Sequence, residues 1–152
     1  MIVFRLSKSF YSNDISGKGA ETTGARWNSK GIAILYTSAS RALCTAEIAV
    51  HTALGNVPND YNIITLEIPD DSIREVKSNE LPSDWKTFPH QDSTQKIGNK
   101  FVLDNIHLVL KVPSAVVQGE YNYLVNPNHK DFLKVKIIGI ETFTFDERLF
   151  KK

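Results

Sequence analysis

The chain has 152 residues, 41% of them hydrophobic and 23% charged, which is the composition of a globular domain. Its 18 Lys and Arg residues nearly balance 17 Asp and Glu residues, and this balance argues against binding DNA through bulk positive charge. We expect a single domain, residues 1–152, with one sizeable core, and the lone Cys44 excludes an internal disulfide and a multi-cysteine metal site.

The N-terminal region begins with a β-prone run at residues 2–6. Arg5 and Lys8 interrupt the apolar stretch that a signal peptide needs, and no later apolar run is long enough to span a membrane, so we expect a cytoplasmic protein. Residues 7–31 are polar and hold four of the eight glycines, which predicts a long functional loop. A buried strand is predicted at residues 32–37.

The clearest helix follows this strand. Ser38 or Ser40 can cap its start, and Gly55 supplies a C-terminal stop. Apolar residues recur at helical spacing from Ala39 to Leu54 and predict one apolar face.

The rest of the chain is mostly β. The pattern predicts a weaker helix at residues 94–105, interrupted by Gly98, and a turn-rich segment at residues 70–95. Strands are predicted at residues 62–68, 108–112, 122–126 and 135–145. Together these elements predict the α+β class.

Glu47 is the most informative single residue, because it falls within the apolar arc of the predicted helix. Desolvation raises the pKa of a carboxylate in that position unless a cation or hydrogen-bond donors compensate, and we expect a partner cation, with Arg26 and Arg5 as the candidates. It can serve chemistry in a cleft or form a structural salt bridge, and the sequence leaves both interpretations open.

Four other residues are candidates by position. Arg26 ends the glycine-rich segment, where a guanidinium can bind a phosphate or carboxylate, although composition alone favours an exposed surface arginine. Tyr36 lies near the end of its strand and either borders a pocket or is an ordinary sheet residue. Ser114 and Asn122 lie at strand ends, where they can orient a ligand or a carboxylate or simply form turns.

Several familiar motifs are excluded. Gly17-Lys18-Gly19 is neither a dinucleotide fingerprint nor a P-loop. The four histidines show no metal-ligand spacing, so we expect no metal site.

Two separated motifs resemble the RES domain family. The first runs from Gly-Ala-Arg-Trp-Asn at residues 24–28 through Tyr36 to Ala46-Glu47, and the second comprises residues 108–117 and 120–127. The family is named for arginine, glutamate and serine, which are best matched here by Arg26, Glu47 and Ser114. The resemblance covers nearly the whole chain and departs mainly at residues 70–95.

The resemblance implies a fold, an activity and a partner. The fold is an ADP-ribosyltransferase-like split β-core with flanking helices. The activity is that of a bacterial toxin that cleaves the nicotinamide–ribose bond of NAD by hydrolysis or phosphorolysis, with NAD as substrate and no separate cofactor. The partner is an Xre-type antitoxin, in a complex that can include a toxin homodimer, and the toxin itself is not expected to bind DNA or membranes.

The resemblance also assigns roles to the candidate residues. It implies that Glu47 stabilises the positive charge that develops on the ribose, holds a ribose hydroxyl or orients the attacking water or phosphate, while Arg26, together with Arg5, holds the pyrophosphate. Tyr36 borders the nicotinamide, and Ser114 with Asn122 positions the ribose or Glu47. The alternatives are a transferase that places ADP-ribose on a specific protein, a non-catalytic nucleotide-binding module and, less consistent with the charge balance, an RNA-cleaving enzyme.

Overall fold

Seven strands form one mixed sheet in the computed structural model, which describes residues 1–151. The strands are β1 (Ile2–Lys8), β2 (Leu35–Ser38), β3 (Tyr61–Glu67), β4 (Ile73–Glu75), β5 (Val109–Pro113), β6 (Tyr121–Val125) and β7 (Lys136–Phe143). The helices are α1 (Lys18–Thr23), α2 (Arg41–Val50) and α3 (Asp92–Asp104). The predicted α+β class is confirmed.

The sheet is split into two halves. Its order is β4-β5-β6-β2-β1-β3-β7. β1 pairs with β3 along its whole length, whereas β1 and β2 are joined through one residue pair, Phe4 and Ser38. This junction divides the sheet into β4-β5-β6-β2 and β1-β3-β7, the split β-core that was expected.

The main hydrophobic core bridges the two halves. It contains Val3 and Ile64 from β1-β3-β7, together with Leu35, Val109 and Val125 from the other half. A second cluster covers the opposite face of β5 and β6, where Trp27 and α3 pack against the sheet. Strand β5 is buried on both faces for this reason, and its continuous apolar run reflects that burial.

Helix α2 is shorter than the sequence predicts. Ser40 caps its start by accepting a hydrogen bond from the Leu43 N–H, as expected. The helix ends at Val50 rather than near Gly55, because the His51 N–H and the Thr52 hydroxyl both donate to the Ile48 carbonyl and close the last turn. The predicted apolar face is therefore wrong at its C-terminal end, where Val50 and Leu54 are exposed.

Two regions expected to be irregular contain regular elements. The polar segment 7–31 holds α1 and a short 3-10 turn at Ser9–Tyr11, so the prediction of one long loop is wrong. Segment 70–95 contributes β4, which pairs in parallel with β5. The β4 region is joined to a distant part of the chain, since Val109 N–H donates to Ser72 O, whereas α1 is closed by its own segment, since Gly31 N–H donates to Glu21 O.

No helix within residues 1–151 is long and apolar enough to cross a membrane.

Candidate active site

A cleft of about 740 Å³ lies where α2, the segment 24–27 and the chain after β5 come together. Its volume is within the range of small-molecule sites in proteins. Glu47, Arg26, Tyr36 and Asn122, all singled out from the sequence, line this cleft. The fold therefore gathers four candidates from four separate segments at one place.

Glu47 is held through one of its two carboxylate oxygens. Oε1 accepts a hydrogen bond of 3.0 Å from the Ser114 hydroxyl and one of 2.8 Å from the Asn122 amide. Oε2 has no hydrogen-bond partner within residues 1–151. The carboxylate is thus fixed in orientation while one oxygen stays available to a ligand in the cleft.

Both donors to Glu47 are themselves fixed. The Ser114 oxygen accepts from the Val116 and Val117 N–H groups at 3.0 Å each, so its hydrogen is directed to Glu47. The Asn122 carbonyl oxygen accepts from the Ser38 hydroxyl at 2.7 Å, which points the amide nitrogen toward Glu47. Ser114 is buried directly behind the cleft.

Arg26 is tethered to the segment after β4. Its Nη1 donates to the carbonyls of Trp85 and Thr87 at 2.7 and 3.1 Å, and its own carbonyl accepts from the Thr94 hydroxyl on α3. Burial lowers the pKa of Arg26, and the attraction of Glu47 opposes this shift. Nε and Nη2 have no protein partner in the described part of the chain, so they are available to an anion.

Tyr36 is a buried phenol with a fixed hydroxyl. It donates to Asn28 Oδ1 at 2.7 Å and accepts from the Trp27 N–H at 3.2 Å. Burial raises the pKa of Tyr36, which keeps it protonated at neutral pH. The side chain can therefore border a ligand, but it does not serve as a base.

Arg5 does not line this cleft. It lines a smaller cavity of about 200 Å³, which shares Tyr36, Glu47 and Asn122 with the cleft. Its Nη1 donates to the Asp14 carbonyl at 3.0 Å, and burial lowers its pKa. The structure does not bring Arg5 and Arg26 together on one wall.

Comparison with known proteins gives the family. The sequence model of the RES domain matches residues 2–146. The chain belongs to the RES domain family.

Relatives of this RES domain are named as toxins. The "Prs ADP-ribosylating toxin" of Sphingobium sp. (strain YBL2) is 32% identical over 149 residues, covering 96% of this chain and 92% of the relative. "Toxin Res" of Yersinia enterocolitica is 32% identical over 151 residues, covering 98% and 99%. This RES domain is accordingly a toxin by family.

The fold of this RES domain also has a solved counterpart. A chain in the crystal structure of the M. tuberculosis MbcT–MbcA toxin–antitoxin complex matches it with a TM-score of 0.74 and 18% sequence identity. The match covers 98% of this chain and 86% of the other. This likeness confirms the expected fold.

One expectation for Glu47 is wrong. Neither Arg26 nor Arg5 forms an ion pair with it among residues 1–151, because its direct partners are the neutral side chains of Ser114 and Asn122. Arg26 instead attracts the carboxylate across the cleft. The RES domain thus holds the Glu47 carboxylate and the Arg26 guanidinium at one cleft without a direct ion pair between them.

Several cleft residues were missed from the sequence. Phe88 and His90 belong to a segment whose only sequence pattern is turn formers, and no pattern in the sequence places His51 at a cleft. Asn28 was quoted in the family motif without a role, yet its fully buried amide fixes Tyr36 and donates to the Ala20 and Ile32 carbonyls. Only the three-dimensional contacts reveal these residues, apart from the motif that includes Asn28.

Proposed function

We propose that this RES domain degrades NAD by cleaving the bond between nicotinamide and ribose. The observation that carries the proposal is the Glu47 carboxylate, which is fixed through Oε1 and free at Oε2 on a cleft that also presents the free Arg26 donors. Such an arrangement suits a reaction in which positive charge develops beside a bound phosphate group.

The chemistry follows from the charges. The C1′–N bond of NAD breaks, its electron pair leaves with nicotinamide as a neutral molecule, and C1′ acquires oxocarbenium character. Oε2 of Glu47 stabilises that charge and orients the incoming nucleophile. Water or phosphate then bonds to C1′ and loses a proton to solvent, while Arg26 holds the pyrophosphate.

A second candidate is transfer of ADP-ribose to a protein. The Sphingobium relative is named an ADP-ribosylating toxin, which favours this candidate. Both reactions need the same bond cleavage and differ only in the acceptor.

The neighbour from a toxin–antitoxin complex supports the further proposal of an antitoxin partner, expected to be of the Xre type. The use of inorganic phosphate and a homodimer within such a complex stay predictions.

The test is nicotinamide release from NAD by purified protein, with and without inorganic phosphate. Glu47→Gln keeps the size of the side chain but removes its charge, so we expect a loss of about 100-fold or more in kcat. Glu120→Gln is the matched control, since Glu120 is an exposed carboxylate outside the cleft, and its activity should equal that of the wild type.

The products separate the candidates. Free ADP-ribose indicates hydrolysis, ADP-ribose 1″-phosphate indicates phosphorolysis, and labelled protein indicates transfer. Binding of NAD with no nicotinamide release under any of these conditions would support the non-catalytic binding module instead.

A further inference from the structure

An exposed aromatic pair stands at the rim of the cleft. Phe88 is 72% exposed, and its ring centroid lies 6.0 Å from that of His51, with 49° between the ring planes. Val50, also exposed, lines the cleft beside them. Exposed apolar side chains gathered at one place on a soluble domain mark a binding surface.

Helix geometry relates this rim to Glu47. Glu47 and Val50 are spaced i and i+3 on α2, and His51 directly follows the last residue of the helix, so the three lie toward one side of it. His51 is about 6 Å further along the helix axis than Glu47, at 1.5 Å per residue. Helix α2 therefore carries the carboxylate, and the residue at its C-terminal end carries one ring of the aromatic pair.

Arg26 is linked to the segment that bears the other ring. Its guanidinium is bonded to the carbonyls of Trp85 and Thr87, and Thr87 immediately precedes Phe88. The cleft thus offers a carboxylate, a guanidinium with free donors and an exposed aromatic pair. A dinucleotide presents three groups that suit them: a glycosidic bond, a pyrophosphate and a distal base.

We propose that Phe88 and His51 form a subsite for the distal base, so that the substrate class is a dinucleotide rather than a mononucleotide. This inference rests on the proposed function and identifies the distal base as the part of NAD that the rim binds. Every base has a planar π-face, and an exposed aromatic ring at the end of a cleft binds such a face by stacking.

Loss of the aromatic ring is expected to weaken substrate binding without slowing the chemical step. Base stacking of the usual strength corresponds to about 5- to 100-fold in affinity. Because the distal base is remote from the bond that breaks, this binding is the same in the ground state and the transition state. Loss of the ring should therefore raise KM and leave kcat within about twofold.

The experiment compares NAD with nicotinamide mononucleotide, which has the same scissile bond and lacks the distal base. Phe88→Ala should raise KM for NAD by about 5- to 100-fold and lower the preference for NAD over the mononucleotide by the same factor. Phe88→Tyr should restore both values. Phe10→Ala is the control, since Phe10 is 86% exposed outside the cleft, and it should match the wild type.

Two outcomes overturn the base subsite. One is an unchanged KM for NAD in Phe88→Ala, and the other is an equal loss on both substrates. If the wild type releases no nicotinamide, the proposed function fails, and calorimetric titration with NAD then tests the subsite. Weaker NAD binding by Phe88→Ala than by Phe10→Ala supports it, and equal binding overturns it.

Discussion

At the scale of single residues, the site depends on Ser114 and Asn122, whose other hydrogen bonds fix the direction in which each donates to Glu47. The Ser114 oxygen accepts two backbone N–H groups and can direct its hydrogen only to Glu47. The same holds for Asn122, whose carbonyl oxygen is occupied by Ser38. Such preorganised donors need no rearrangement when charge develops in a reaction.

Cys44 gives a prediction at this scale. It is buried three residues before Glu47 on α2, and burial raises the pKa of its thiol to about 11. The thiol rather than the reactive thiolate is therefore present between pH 7 and 9, so we expect alkylation by iodoacetamide at pH 8 to be at least 100-fold slower than for free cysteine.

The measurement is simple because the chain has a single cysteine. Mass spectrometry should show unmodified folded protein and one added group after unfolding in guanidinium chloride. Modification of the folded protein at the rate of free cysteine would contradict the buried position.

At the scale of elements, the docking of α3 on the segment 24–29 fixes Arg26. Helix α3 passes so close to this segment that a Cβ on Gly98 would overlap the Trp27 carbonyl. Gln95 donates to the carbonyls of Ala25 and Asn28 at 3.0 and 3.1 Å from the same helix. The glycine that weakens the sequence pattern of α3 is thus the residue that permits its packing.

We expect Gly98→Ala to lower the free energy of unfolding by about 1–3 kcal/mol, the usual cost of overpacking. Gly19→Ala is the matched control, since Gly19 is also helical and nothing lies within 4 Å of its added Cβ. That control should be neutral or more stable by up to about 1 kcal/mol. Urea denaturation compares the two variants, and equal effects would contradict the close contact.

The sequence predicts the elements whose apolar pattern is local. The strands with buried apolar residues and the capped start of α2 follow from spacing and from Ser40. Helix α1 has no buried residue to give it a periodic pattern, and β4 exists because Ile73 pairs with Val109. Contacts outside each element decide both of them, and no local signal encodes them.

The same limit applies to the site. Position along the chain and the family motif both single out Glu47, Arg26 and Tyr36, and the fold places them on one cleft. The absence of a direct cation partner for Glu47 and the rim formed by Phe88 and His51 depend on how α2 faces segment 85–90. That relation exists only in the assembled fold.

At the scale of the whole molecule, side-chain packing joins the two half-sheets, which backbone pairing barely connects. One residue pair connects the two half-sheets, whereas a shared core of residues such as Val3, Ile64, Leu35 and Val125 spans them. Burial of apolar surface is the dominant stabilising term in folding, so neither half keeps its core without the other.

We therefore expect the protein to unfold in one cooperative transition. Trp27 packs in the cluster over β5 and β6 and reports on that half, while far-UV circular dichroism reports on all elements. The midpoints in urea from tryptophan fluorescence and from circular dichroism should coincide. Separate midpoints would show that the halves unfold independently.

The order of the site along the chain has a consequence for synthesis. Glu47 is separated from Ser114 by 67 positions and from Asn122 by 75. Because a nascent chain emerges from its N-terminus, the carboxylate leaves the ribosome well before the two donors that hold it. A stalled or truncated chain that ends before residue 114 lacks both donors, so the complete site arises only after residue 122 has been added.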